Sequence, residues 1–175
     1  MNLTELKSEI PKIFYKVKRD VEKVFSNDET FTGRGVRRAG LSLGLADMGM
    51  FQGVFIGGMH FHPGNDIVMN KSPLRKIVKS QPYEIVWAYT YHILLSLYLK
   101  SLGVIDERQC KLYTLKVSKE IFKEPDHPAI IMAKNGIGHF FPDLNITYVP
   151  PDQRPDGMSI EYIIGFDDDN QSYYS

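Results

Sequence analysis

The stretch Tyr83-Glu84-Ile85-Val86-Trp87-Ala88-Tyr89-Thr90-Tyr91-His92-Ile93-Leu94-Leu95-Ser96-Leu97-Tyr98-Leu99-Lys100-Ser101-Leu102-Gly103 decides how this chain is read. Residues 85–99 carry no charge, and apart from tyrosine hydroxyls only Thr90, His92 and Ser96 are polar. A membrane span needs about 20 such residues, so the stretch reads as a helix buried in protein. It is apolar nearly all round, which means that other elements enclose it. Gly103 ends it as a C′ residue.

The flanking sequence supplies those elements. Leu6, Ile10, Ile13, Phe14, Val17, Val21 and Phe25 recur near the 3.6-residue period, so residues 3–25 read as an amphipathic helix. Thr4 is the expected N-cap, and Pro11 the expected place of a kink or a separate turn. Residues 33–64 hold nine of the 14 glycines. Short apolar runs between them, at 41–45, 54–56 and 59–62, read as strands joined by tight turns. Residues 67–69 form a further short strand, and 73–80 a short helix or loop. Past the central helix, 106–122 reads as a helix with Cys110, Tyr113, Val117 and Ile121 on one stripe. Pro128 opens a short helix closed by Asn135-Gly136. Residues 146–149 and 160–164 read as late strands, separated by the Pro-rich segment 150–157. The expected fold is α+β: a single domain over residues 1–166, with a small mixed or antiparallel sheet packed on the buried central helix. Residues 167–175 are expected to be a flexible acidic tail.

Composition narrows the class. Of 175 residues, 21 are basic and 21 acidic, so the basic excess typical of nucleic-acid binding is absent. One cysteine excludes an internal disulfide, and residues 1–7 lack the apolar run of a secretory signal. The expected location is the cytoplasm.

Residues 96–106 resemble the active helix of the zincin metallopeptidases, in the extended metzincin form H-E-x-x-H-x-x-G-x-x-D. Gly103 stands at the glycine and Asp106 at the third ligand, whereas Ser96, Leu97 and Lys100 replace the first histidine, the glutamate and the second histidine. The resemblance covers about residues 50–135. It implies a substrate-holding edge strand within residues 54–69 and a methionine below the metal position, for which Met132 is a weak counterpart. In that family two histidines four apart share one zinc, and the glutamate between them activates water. Here Leu97 accepts no proton, and the Lys100 ammonium adds charge where the cation would sit. Lys100 is expected to pair instead with Asp106 or Glu107.

Three functional readings follow. The first is a non-catalytic metallopeptidase-like protein, without metal or cofactor, that holds an extended peptide or a partner's strand. The second is a hydrolase with a relocated zinc on His60, His62 and His92, and Asp66 or Glu84 as base. His60 and His62 project to one side of a strand, and His92 lies on the Ser96 and Lys100 face of the helix. The plainer view makes His60 and His62 turn-flanking residues and His92 a hydrogen-bonded histidine of the fold. The third reading is a structural protein whose aromatic helix lies partly in an oligomer interface.

Other signals carry less. Gly44 and Gly49 have P-loop spacing, but Met50-Phe51 follow where Lys and Ser/Thr are required. Gly49, Gly53 and Gly57 read as sites of close strand packing. Cys110 reads as a buried structural thiol. His127 falls near a helix start and His139 in a loop. Arg34, Arg37 and Arg38 read as a solvated basic face.

Overall fold

A computed structural model describes residues 1–61, 64–147 and 158–163. Helix α1, Leu3–Phe25, buries the apolar stripe read from the sequence. Its N-cap is Asn2 rather than Thr4: the Asn2 side chain accepts the Glu5 N–H at 2.8 Å. The helix runs through Pro11 unbroken. Buried residues on both sides of the proline, Leu6, Ile10, Ile13 and Phe14, hold the two halves on one packed face.

The glycine-rich region forms five strands: β1 Ser42–Ala46, β2 Met50–Phe51, β3 Val54–Ile56, β4 Gly58–His60 and β5 Asp66–Asn70. Helices α2 Lys71–Ser80, α3 Tyr83–Ser101, α4 Glu107–Ile121 and α5 Pro128–Asn135 follow. A 3-10 turn, Ile137–His139, leads to β6 Ile146–Thr147, and β7 is Glu161–Tyr162. The fold is α+β with mixed sheets, as expected. One sheet has the order β4-β5-β1-β7, with β1 and β5 parallel and both outer strands antiparallel. The other has the order β2-β3-β6, with β3 and β6 parallel. The hairpin β2–β3 turns through Gln52 and Gly53, both at positive φ (52° and 80°), the signature of a type I′ turn. Residues 150–157 and the tail 167–175 lie outside the described residues.

Gly57 joins the two sheets. Its N–H donates to the Thr147 carbonyl at 3.3 Å, while its own carbonyl accepts the Asn70 N–H at 3.0 Å. Asn70, fully buried, ties three segments together. Its side-chain oxygen accepts the N–H of Met48 and the N–H of Ser72, which caps α2, and its amide donates to the Gly49 carbonyl.

Helix α3 is enclosed as its composition requires, by α1, α2, α4, α5, β4 and β5. Tyr89, Tyr91 and Tyr98 are fully buried within the chain itself, which removes them from any oligomer interface. The Tyr91 hydroxyl donates to Asp20 Oδ2 of α1 at 2.7 Å, and Lys16 Nζ lies 3.1 Å from the same oxygen. The C-terminus of α3 is a Schellman motif. Gly103 sits at φ 99°, its N–H bonds the Lys100 carbonyl, and the Val104 N–H bonds the Leu99 carbonyl. No helix among the described residues is long and apolar enough to cross a membrane.

The sheet lies close on α3 because two residues there lack a side chain. A Cβ on Gly57 would fall 2.6 Å from Ile93 Cδ1, which can rotate away. A Cβ on Gly58 would fall 2.7 Å from the Val68 carbonyl oxygen, part of the paired strand, and 2.9 Å from Leu97 Cδ1. Gly58→Ala is therefore expected to destabilise the protein by about 1–3 kcal/mol. Gly138→Ala, with nothing within 4 Å of the added carbon, is expected to be near neutral. Urea denaturation of the two variants checks this; equal stability would refute the close contact.

Candidate functional site

One face of α3 carries His92, Ser96 and Lys100, four residues apart and all buried. Helix α4 closes over this face. Cys110 Sγ donates to the Ser96 carbonyl at 3.6 Å, and Lys100 Nζ lies 3.2 Å from Glu107 Oε2. Glu107, one of the two partners expected for Lys100, thus lies within ion-pair distance. Asp106 does not turn back toward the α3 face. It is the N-cap of α4, and its Oδ1 accepts the Gln109 N–H at 2.8 Å. Leu97 packs against Gly58 of β4.

These residues do not fit a zinc ion. An ammonium offers no lone pair, the Asp106 carboxylate is engaged by the helix it caps, and Leu97 has no proton acceptor. Met132 lies buried within α5, a helix rather than a turn.

His60 is buried on β4, and its Nδ1 lies 3.1 Å from the Asp66 carbonyl. His62 lies outside the described residues. His92 faces α4. The Asp66 carboxylate accepts the Tyr162 hydroxyl at 3.0 Å, and Glu84 lies in the first turn of α3. Among the described residues no group of three or more His, Cys, Asp or Glu side chains is placed to hold a metal. His127 is the N-cap of α5, with Nδ1 accepting the Ala129 N–H at 3.0 Å and its ring stacked on Phe122. His139 lies in the 3-10 turn.

Beside the His92 end of the stripe opens a cleft of about 410 Å³. Its walls are Lys111 and Thr114 of α4, the C-terminal end of α5 with the residues that follow it to Gly138, and Ile146–Thr147 of β6. No local sequence pattern marks this cleft. Gly136, at φ 96°, was legible as the stop of α5, but nothing local showed that the turn would face β6. Burial pushes the His92 imidazole down to about 4, so at neutral pH it is an uncharged hydrogen-bonding group. Burial pushes the Cys110 thiol up to about 11, which keeps it protonated and unreactive.

Arg38 departs from the expected solvated face. Its guanidinium donates to the carbonyls of Ser101 and Gly64 and to Asn65 Oδ1, and its backbone N–H donates to the Tyr98 hydroxyl. It thereby fastens residues 33–39 to the end of α3. Comparison with family models, with characterised proteins and with solved structures finds no match to the chain.

Lys100→Ala removes a buried stem and its ion pair, while Glu107, about half exposed, can rehydrate. The expected loss is about 1–2 kcal/mol, or roughly 5 °C in Tm, with partial recovery in Lys100→Met. An unchanged Tm would remove Lys100 from the set of structural links. His92 gives a pH effect. Its folded pKa lies below the unfolded value of about 6.5, so the unfolded chain binds the extra proton. Its contribution is complete above about pH 6.5 and is lost as pH falls toward 4, by up to about 3 kcal/mol. Urea denaturation at pH 7 and pH 4.5 should show a smaller acid loss in His92→Gln than in wild type.

Proposed function

We propose that this protein is a non-catalytic, metallopeptidase-like binding protein that holds an extended peptide segment against the outer edge of β4. One observation carries the reading: β4 is the outermost strand of its sheet, antiparallel to β5, and has a single strand neighbour among the described residues. In the fold that residues 96–106 resemble, the strand in this position receives the substrate backbone. An added strand would gain main-chain hydrogen bonds from β4, and specificity would come from pockets for alternate side chains. The α3 residues beside it lack a metal-binding set and a general base, so a bound peptide would be held and not cleaved. The lone, buried Cys110 accords with residence in the cytoplasm.

The test is selection of binders from a displayed library of random, unstructured peptides, followed by amide hydrogen exchange of the complex. Binding with slowed exchange at residues 58–61, and recovery of the peptide intact, is the expected result. Protection confined to other segments, or cleavage of the peptide, would contradict the reading.

A further inference from the structure

Helix α5 starts on a cap that holds only while a histidine is uncharged. A helix start needs a side-chain acceptor for one of its first amides, and Asn, Ser or Thr supplies one at every pH. Here the acceptor is an imidazole: the Ala129 N–H donates to His127 Nδ1 at 3.0 Å. The other amides of this turn do not compete for it. Pro128 has none, and the N–H groups of Ile130 and Ile131 both donate to the His127 carbonyl, at 2.9 and 3.1 Å. A backbone N–H can only donate, so Nδ1 carries no proton in this arrangement.

The ring is fixed by its neighbours. It stacks on Phe122 with centroids 4.0 Å apart and meets Trp87 of α3 edge-on at 6.4 Å. Three charged groups act on it. Glu124 and Asp126 lie on the chain just before the helix, and Lys16 of α1 sits over the Phe122 ring, 5.4 Å from its centroid, with Asp20 as its ion-pair partner. Burial holds the imidazole below its ordinary value of about 6.5; Glu124 and Asp126 pull it upward, and Lys16 pushes it further down. With the folded pKa below the unfolded one, the cap is complete above about pH 6.5 and is lost as pH falls below it.

We propose that His127 is a pH-sensitive lock on α5: neutral, it fixes the first turn, and protonated, it releases that turn. Protonation converts Nδ1 from acceptor to donor and sets it against the Ala129 N–H. It also places a positive charge at the positive end of the helix. The loss falls on a helix of eight residues, too short to hold its shape without its cap and its packing. Ala129 and Ile130, the residues beside the cap, are buried, so release of the turn loosens the seat of α5 on α3 and α4. The other end of α5 walls the 410 Å³ cleft, which gives mild acid a route to the shape of that cleft. The inference does not depend on peptide binding at β4.

Amide hydrogen exchange of the full chain tests it, read by NMR at pH 7.5 and pH 5.0 and expressed against the unfolded-chain rate at each pH. On passing to pH 5.0, protection of Ala129 should fall about fivefold more in wild type than in His127→Asn, whose side-chain oxygen accepts the same N–H without titrating. Both proteins keep His92 and every carboxylate, so acid effects that arise elsewhere cancel in the comparison. His127→Asn gives up the stacking on Phe122, which lowers protection at both pH values alike and leaves the difference intact. His127→Ala, which has no cap, should show weak protection of Ala129 at both. Equal acid loss in wild type and His127→Asn, or no acid loss in wild type, would overturn the proposal.

Discussion

The structure depends on the enclosure of a helix that turns no side to water. From Val86 to Leu102 nearly every residue of α3 is shielded from water, so each neighbour must bring both an apolar surface and a partner for whatever polar group it covers. On the α1 side the partner is Asp20, which accepts the Tyr91 hydroxyl. On the sheet side there is little to satisfy and close approach is needed, so Gly57 and Gly58 stand there. On the remaining face α4 meets Ser96 with Cys110 and Lys100 with Glu107. The Schellman turn at Gly103 and the Asp106 cap set the angle at which α4 can return over that face.

Much of this was legible because it is written in local pattern. The stripe of α1, the uncharged run of α3, the glycine stop at 103 and the Pro128 start each depend on a few neighbouring residues, and the structure places those elements within one or two residues of expectation. The misses have a common physical origin. Asn70 reads as an ordinary polar residue after a strand, yet it is a buried hub whose partners, Met48, Gly49 and Ser72, meet only after β5 has paired with β1. Arg38 reads as a surface cation because its acceptors at Ser101, Gly64 and Asn65 are far away in sequence. Asp106 stands at a spacing that resembles a ligand position, but a carboxylate just before a helix also has an immediate local use as its cap, and that use prevails.

The same contrast governs the functional reading. A spacing of four along α3 brings His92, Ser96 and Lys100 to one face, as shared metal ligation would require. The side chains at those positions are buried. Lys100 is held by Glu107, and His92 is kept neutral by burial at the wall of the cleft. In the proposed reading a partner engages the fold at its margin, along the outer edge of β4.

In the proposed reading the seam between α3 and α4 is a packed structural interface rather than a metal centre. Elemental mass spectrometry tests it most directly, on protein purified without chelator, incubated with excess zinc and then desalted. Zinc below about a tenth of an equivalent per chain is the expected result, since a catalytic site takes about three protein ligands and this seam supplies no such set. Retention of about one zinc per chain, lost in His92→Ala, would contradict the claim and make the face of α3 a metal site after all.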